Sequence, residues 1–237
     1  MTHVDLNLLA LDTSTDQLSV AVQRADGRRF AHTGAGGAQA SASLIPAVQA
    51  LLAQAGLSLS DLRAIAFGRG PGSFTGLRTA CSVAQGLAWG AGVPVLPIDT
   101  LLAVAEAARS AHGATHVLAL LDARMNEVYA AEYAWRDAAG WRPLSDIAVL
   151  APEAVPTPGA GAVLAGNAFA AYADRLPAAL QALPRIAALP SADALLNLAP
   201  ALLAAGAAVP AEQALPLYIR DKVAQTTAER SAAGLAR

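Results

Sequence analysis

The chain holds one cysteine in 237 residues, Cys81, so no internal disulfide can form and nothing points to an oxidising compartment. Charge is also scarce. Charged side chains make up 14% of the residues and the net charge is −2, which excludes a protein that binds nucleic acid through clustered Lys and Arg alone. Any nucleic-acid contact must be local or borrowed from a partner. The opening "MTHVDLNLLALDTS" has no basic segment ahead of a long apolar run, so neither a signal peptide nor a membrane span is expected. The expected setting is a reducing cytoplasm. What is plentiful is hydrophobic residues, 55% with alanine the commonest, enough to build the core of one large domain or two small ones.

The first hundred residues read as a strand meander followed by alternating helix and strand. An apolar run over residues 6–11 predicts a buried strand, residues 12–16 a turn rich in side-chain acceptors, and residues 18–22 a returning strand. Asp26 and Gly27 mark a second turn before a third strand over 28–32. The period then changes, and Leu44, Val48, Leu51, Leu52 and Ala55 form one helical stripe that stops at Gly56. A short strand over 65–67, a helix over 73–89, a strand over 93–98 and a helix over 101–111 complete an α/β half.

The second half repeats the theme. "THVLALLDARMNEVYAAEYAW" predicts strand, turn at 122–126 and strand, again with an acidic residue at the bend. "APEAVPTPGAGA" is a Pro/Gly/Ala connector, residues 163–165 a short strand, 192–205 a helix, and "LPLYI" a strand-like segment before a polar end that reads as disordered. Each half therefore contains strand, acidic turn and strand, which predicts two related lobes.

Two loops carry the chemistry worth testing. In "GRGPGSFTGLRTA", Gly68, Gly70, Gly72 and Gly76 include no pair five apart and no lysine follows, so this is no Walker loop. Ser73 and Thr75 stand where a dinucleotide fingerprint needs its third glycine. Two readings stay open: a tight strand-to-helix turn capped by Ser73 or Thr75, or a helix start that receives a phosphate. The first turn is equally divided, because Asp12, Thr13, Ser14 and Thr15 suit a phosphate or magnesium-bound water and also suit local side-chain to backbone bonds.

Together "LALDTSTDQLSVAV", "AFGRGPGSFTGLRTACSVAQGLAWGAGVPVLPIDTL", "LLDARMNEVYAAEY" and "PLYIRDKVA" resemble the TsaB family, formerly YeaZ, of tRNA threonylcarbamoyladenosine biosynthesis proteins. The resemblance implies the two-lobed fold of the actin, sugar kinase and Hsp70 superfamily, an α/β fold with a mixed sheet flanked by helices in each lobe. It places residues 1–104 in the first lobe, completed by a helix over 191–207, residues 105–190 in the second, and a tail over 208–237. It also implies a noncatalytic subunit of the complex that attaches a threonylcarbamoyl group to the adenosine beside the anticodon. The transfer would be done by a paralogue, TsaD, with an ATPase, TsaE, joining the pair. ATP, ADP and metal are expected on those partners and no cofactor on this chain, tRNA only within the complex, and a homodimer when the chain is alone. The alternative is an independent ATP-dependent transferase or phosphotransferase that uses the Asp12 turn and the glycine loop.

The paralogue's metal-binding HxxxH pair would fall at residues 99–104, where this chain has Asp99, Thr100, Leu101, Leu102, Ala103 and Val104. His112 and His116 have i, i+4 spacing, but Gly113 follows the first and a strand the second, so a turn separates them and no metal is expected. Cys81 shares a helical stripe with Leu77, Ala84 and Ala88 and reads as buried and inert. Asp122, Arg124 and Glu127 read as an ion-pair and hydrogen-bond network shaping the interlobe region rather than as catalytic carboxylates.

The remaining case is an interface. The helix "TGLRTACSVAQGLAWG" carries small residues, among them Gly76 and Ser82, that allow another helix to approach closely, and Ile45 and Gln49 lie off the core stripe of the preceding helix. In the family these two helices meet the corresponding pair of a partner as four helices. Expected contacts are Ile45, Gln49, Gly76, Arg78, Ser82, Gln85 and Trp89, with Arg78 as a polar anchor at the rim. The family's first helix commonly begins with a histidine, where this chain has Ala40 and Ser41. A glycine motif for adenosine in the second lobe is at most faint in "GAGAVLAGNAF".

Overall fold

The computed structural model describes residues 6–137 and 139–220. Eleven strands and six α-helices are assigned among them, in two mixed sheets. In the first sheet β1 (Leu8–Asp12), β2 (Gln17–Gln23) and β3 (Arg29–Ala35) form an antiparallel meander, and β4 (Ala64–Gly70) and β5 (Val95–Asp99) add in parallel beyond β1. Its order is β3-β2-β1-β4-β5. The second sheet repeats this plan. β6 (His116–Arg124), β7 (Glu127–Arg136) and β8 (Gly140–Pro143) form the meander, and β10 (Val163–Gly166) and β11 (Arg185–Ala187) add in parallel beyond β6. A short β9 (Ala148–Leu150) pairs with β7. The topology makes the two lobes copies of one unit.

The central strands are apolar throughout because both of their faces are covered. Leu9 and Leu11 of β1 face one core with Ile65 and Phe67 of β4, while Leu8 and Ala10 face another with Ala64 and Ala66. The first core is closed by α1 (Ala40–Ala55) and α2 (Phe74–Ala91), the second by α3 (Thr100–His112) and α6 (Ala192–Ala204). α3 also packs Leu101, Val104, Ala105 and Ala108 against β6 and β7. It therefore lies between the sheets and belongs to both cores, and residue 104 falls inside it. Its buried Glu106 accepts bonds from Arg109, Ser110 and Trp141 Nε1, tying the helix to β8. The short α4 (Ala168–Tyr172) and α5 (Ala178–Gln181) cover the far face of the second sheet.

α1 ends where the sequence places its end, because Gly56 takes the left-handed conformation (φ 65°) and its N–H bonds back to Ala53 and Leu52. One reading changes. "LPLYI" is no strand: residues 214–220 carry no regular structure, and Leu217 N–H bonds the Arg69 carbonyl instead of joining a ladder. His112 closes α3 and His116 opens β6, so the pair does straddle a turn, with Gly113 in the left-handed region. The polar end, residues 221–237, lies outside the described residues.

Candidate functional site

The β1–β2 turn and the start of α2 are built against each other. Asp12 is 1% exposed at the end of β1, and its Oδ1 accepts the Ser14 hydroxyl (2.6 Å) and the Ser14 N–H (2.9 Å). Its Oδ2 has no partner and points at Gly68, where a Cβ would stand 1.8 Å from it. Burial pushes the Asp12 carboxyl up to about 6, with the two Ser14 bonds pulling it down. The Thr13 hydroxyl donates to the Gly76 carbonyl (2.7 Å), and a Cβ on Gly76 would lie 1.8 Å from the Thr13 carbonyl oxygen. A Cβ on Gly72 would lie 2.5 Å from the Ser14 carbonyl oxygen. The glycines of this loop thus serve close backbone approach, and Gly70 alone of those four needs its positive φ, 123°.

Ser73 is the N-cap of α2: its Oγ accepts from the Gly76 N–H at 3.4 Å, and its own N–H bonds the Ser14 carbonyl. Thr75 is exposed in the first turn and its carbonyl accepts the Thr79 hydroxyl. The Thr13 and Ser14 hydroxyls and Asp12 Oδ1 are therefore committed within the protein, and Asp12 Oδ2 is buried against Gly68 without a partner. Asp12 and Thr13 do not reach the cleft between the lobes, a cavity of about 540 Å³ whose walls include Ser14, Ser73, Phe74, Asp122, Arg124 and Tyr218. This arrangement does not fit a magnesium-bound phosphate.

The second lobe meets this cleft with the β6–β7 hairpin tip, where Arg124, Met125 and Asn126 all have positive φ. Asp122 fixes the tip: its Oδ1 accepts the Arg124 N–H (2.7 Å) and the Tyr172 hydroxyl (3.0 Å), and its Oδ2 pairs with the Arg124 guanidinium (3.2 Å). Arg124 also reaches across the cleft to Asp16 (2.6 Å). The network expected of Asp122, Arg124 and Glu127 needs one correction, because Glu127 pairs with Arg220, 93 residues away, and not with Arg124. Two arginines thus face three carboxylates here. No cation in this set is left for a phosphate.

On the outer face, Trp89 is 72% exposed and Ile45 42%, and Gln49 and Ser82 are exposed on the same two helices. Gly76 does not belong to that face. It is buried against Thr13, since the small residues Gly76, Ala80, Ala84 and Ala88 pack α2 onto its own sheet, while Ser82, Gly86 and Trp89 point outward. Gln85 is half-buried and donates to the Ala214 carbonyl. Arg78 is exposed but engaged, with its guanidinium 3.7 Å over the Phe74 ring and its Nε donating to the Tyr218 hydroxyl. Among the described residues no group of three or more His, Cys, Asp or Glu side chains is placed to hold a metal, and no helix is long and apolar enough to cross a membrane.

A family model described as "TsaD: tRNA N6-adenosine threonylcarbamoyltransferase" matches residues 36–228. The tRNA threonylcarbamoyladenosine biosynthesis protein TsaB of Escherichia coli is 39% identical over 224 residues, 92% of this chain and 96% of its own. The chain belongs to the TsaB (YeaZ) family. The TsaB of Haemophilus influenzae is 48% identical over 125 residues, 53% of this chain and 52% of that one. The solved YeaZ of Pseudomonas aeruginosa superposes with a TM-score of 0.83 at 43% identity, covering 90% of this chain and 99% of the other. At that likeness the two-lobed fold of the TsaB family is this chain's fold.

Sequence reasoning missed four groups of this site: Gly68, Asp16, Tyr218 and Arg220. Gly68 alone had a visible signal, as the glycine at which a parallel strand passes a buried carboxylate.

Proposed function

We propose that this chain is a noncatalytic subunit in the biosynthesis of threonylcarbamoyladenosine on tRNA, and that it works by binding the catalytic paralogue, TsaD. The observation that carries this reading is the α1–α2 face, where a tryptophan stands 72% exposed beside the open Gly86 and Gly90. A large aromatic is seldom left in water, and beside glycines that admit a second helix it has the chemistry of an interface anchor. That the TsaD model matches this chain supports the same reading, because paralogues that share a fold are suited to pair through equivalent surfaces about a pseudo-twofold axis. The same face would pair two copies of the chain when no partner is present.

The inward commitment of Asp12, Thr13 and Ser14 supports a subunit that holds no nucleotide or metal of its own and leaves ATP, ADP and metal to TsaD and TsaE. tRNA would be met only within the complex, in the cytoplasm. Residues 1–104 with 191–207 would act as the partner-binding lobe and 105–190 as the second. The test is gel filtration of this chain with TsaD. A 1:1 complex is expected, and two separate peaks would contradict the reading.

A further inference from the structure

The described chain closes with residues 214–220, which touch both lobes although they form no regular structure. Ala214 is buried in the first-lobe core, and its carbonyl accepts Gln85 Nε2 (2.8 Å) and the Cys81 thiol (3.4 Å). Three residues on, Leu217 N–H donates to the Arg69 carbonyl (2.7 Å), and the Leu217 carbonyl lies 2.6 Å from where a Cβ on Gly70 would stand. Only a glycine at 70 lets the segment seat there. Tyr218 packs on Phe74, with ring centroids 5.4 Å apart, and its hydroxyl accepts from Arg78. Arg220 then enters the second lobe and donates to the Ala123 carbonyl (3.1 Å), to Met125 Sδ (3.3 Å) and to Glu127. It grips the hairpin tip whose residues 124–126 are all in the left-handed region.

We propose that residues 214–220 form an interlobe strap that fixes the opening of the cleft and passes the state of the partner-facing helix α2 to the second lobe. Among the described residues the polypeptide otherwise crosses between the lobes twice, from α3 to β6 and from β11 to α6. Two crossings define an axis about which packed lobes can turn, and a third tie away from that axis removes the rotation. The Asp16–Arg124 pair also spans the cleft, but both side chains are mostly exposed, so it restrains little. Arg220 is far better sheltered, at 16% side-chain exposure. On the other side the strap is held by Arg78 and Gln85 of α2. A partner that reorients Arg78 therefore acts on Tyr218, two residues from Arg220. The coupling half of this inference rests on the partner role proposed for α2, and the strap half does not.

Spin labels on Ala50→Cys of α1 and Ala179→Cys of α5, both exposed positions, report the interlobe distance in the full chain, with the buried Cys81 left in place. A narrow distribution is expected for the native strap and one about twofold wider for Arg220→Ala and for Tyr218→Ala. Arg28→Ala, which removes an exposed ion pair within the first lobe, should change nothing. Widths equal to the native one in both strap variants would overturn the strap. Hydrogen exchange of the unlabelled chain gives an independent reading: the Leu217 amide should be protected, and exchange at the rate of an unstructured amide would also overturn it. Adding TsaD should shift the native distribution, and Tyr218→Phe, which loses only the hydroxyl, should bind TsaD without that shift. Binding with no shift in the native chain would sink the coupling. No binding at all would contradict the proposed partner role, and the strap would still stand or fall on the isolated chain.

Discussion

Gly68 of β4 lies against Asp12 of β1 so closely that a methyl group on the glycine would sit 1.8 Å from the Asp12 Oδ2, an oxygen with no hydrogen-bond partner. The carboxylate is sealed between two parallel strands. Because burial raises the Asp12 carboxyl from 3.8 to about 6, the folded chain keeps a proton that the unfolded chain has released across that interval. The Asp12 contribution to stability is therefore full below pH 4, falls as pH rises to about 6 and is lost above it, a change of about 3 kcal/mol. Asp12→Asn should be more stable than the native chain at pH 8 and equal to it or less stable at pH 4. Urea titrations at the two pH values check this, and a native advantage at pH 8 would show the carboxylate to be stabilising.

Gly76 is buried and Gly86 exposed on α2, and the two should respond oppositely to alanine. At Gly76 the new methyl group meets the Thr13 carbonyl at 1.8 Å, whereas at Gly86 nothing stands within 4 Å. Gly76→Ala should cost more than about 3 kcal/mol, by overpacking against backbone that cannot yield. Gly86→Ala should gain about 0.5–1 kcal/mol, the ordinary helix propensity difference. Thermal denaturation of the two variants separates the inner face from the outer one.

Trp89 and Ile45 define the proposed partner face, so Trp89→Glu with Ile45→Glu should weaken the complex with TsaD by at least about a hundredfold while leaving the isolated chain folded. Isothermal titration and circular dichroism measure the two effects. Arg78→Glu is a less selective probe than the sequence implies. Arg78 holds Phe74 and Tyr218, and its loss disturbs the 214–220 segment as well.

Much of the fold is legible in the sequence where one element suffices to show it. The stripe from Leu44 to Ala55 ends at a glycine cap, and the unbroken apolar run of β1 already implies cover on both faces. β8, β9, β11, α4 and α5 are too short to show a period, so only their packing defines them. The site is less legible because its decisive contacts join residues far apart in sequence. Which way Asp12 turns depends on Gly68, and what Glu127 pairs with depends on Arg220, 93 positions later. The stripe of small residues on α2 misleads for a related reason: Gly76 and Ser82 are both small, but only tertiary packing decides which faces the sheet and which faces water.

The role proposed for this chain is to support threonylcarbamoyl transfer without performing it. Its most direct test is tRNA modification in a reconstituted mixture supplied with threonylcarbamoyl-adenylate, with this chain alone, TsaD alone, and the two together. Modified tRNA is expected with the pair and not with this chain by itself, and Asp12→Asn should support the pair as well as the native chain does. Modified tRNA made by the isolated chain, and lost in Asp12→Asn, would contradict the account.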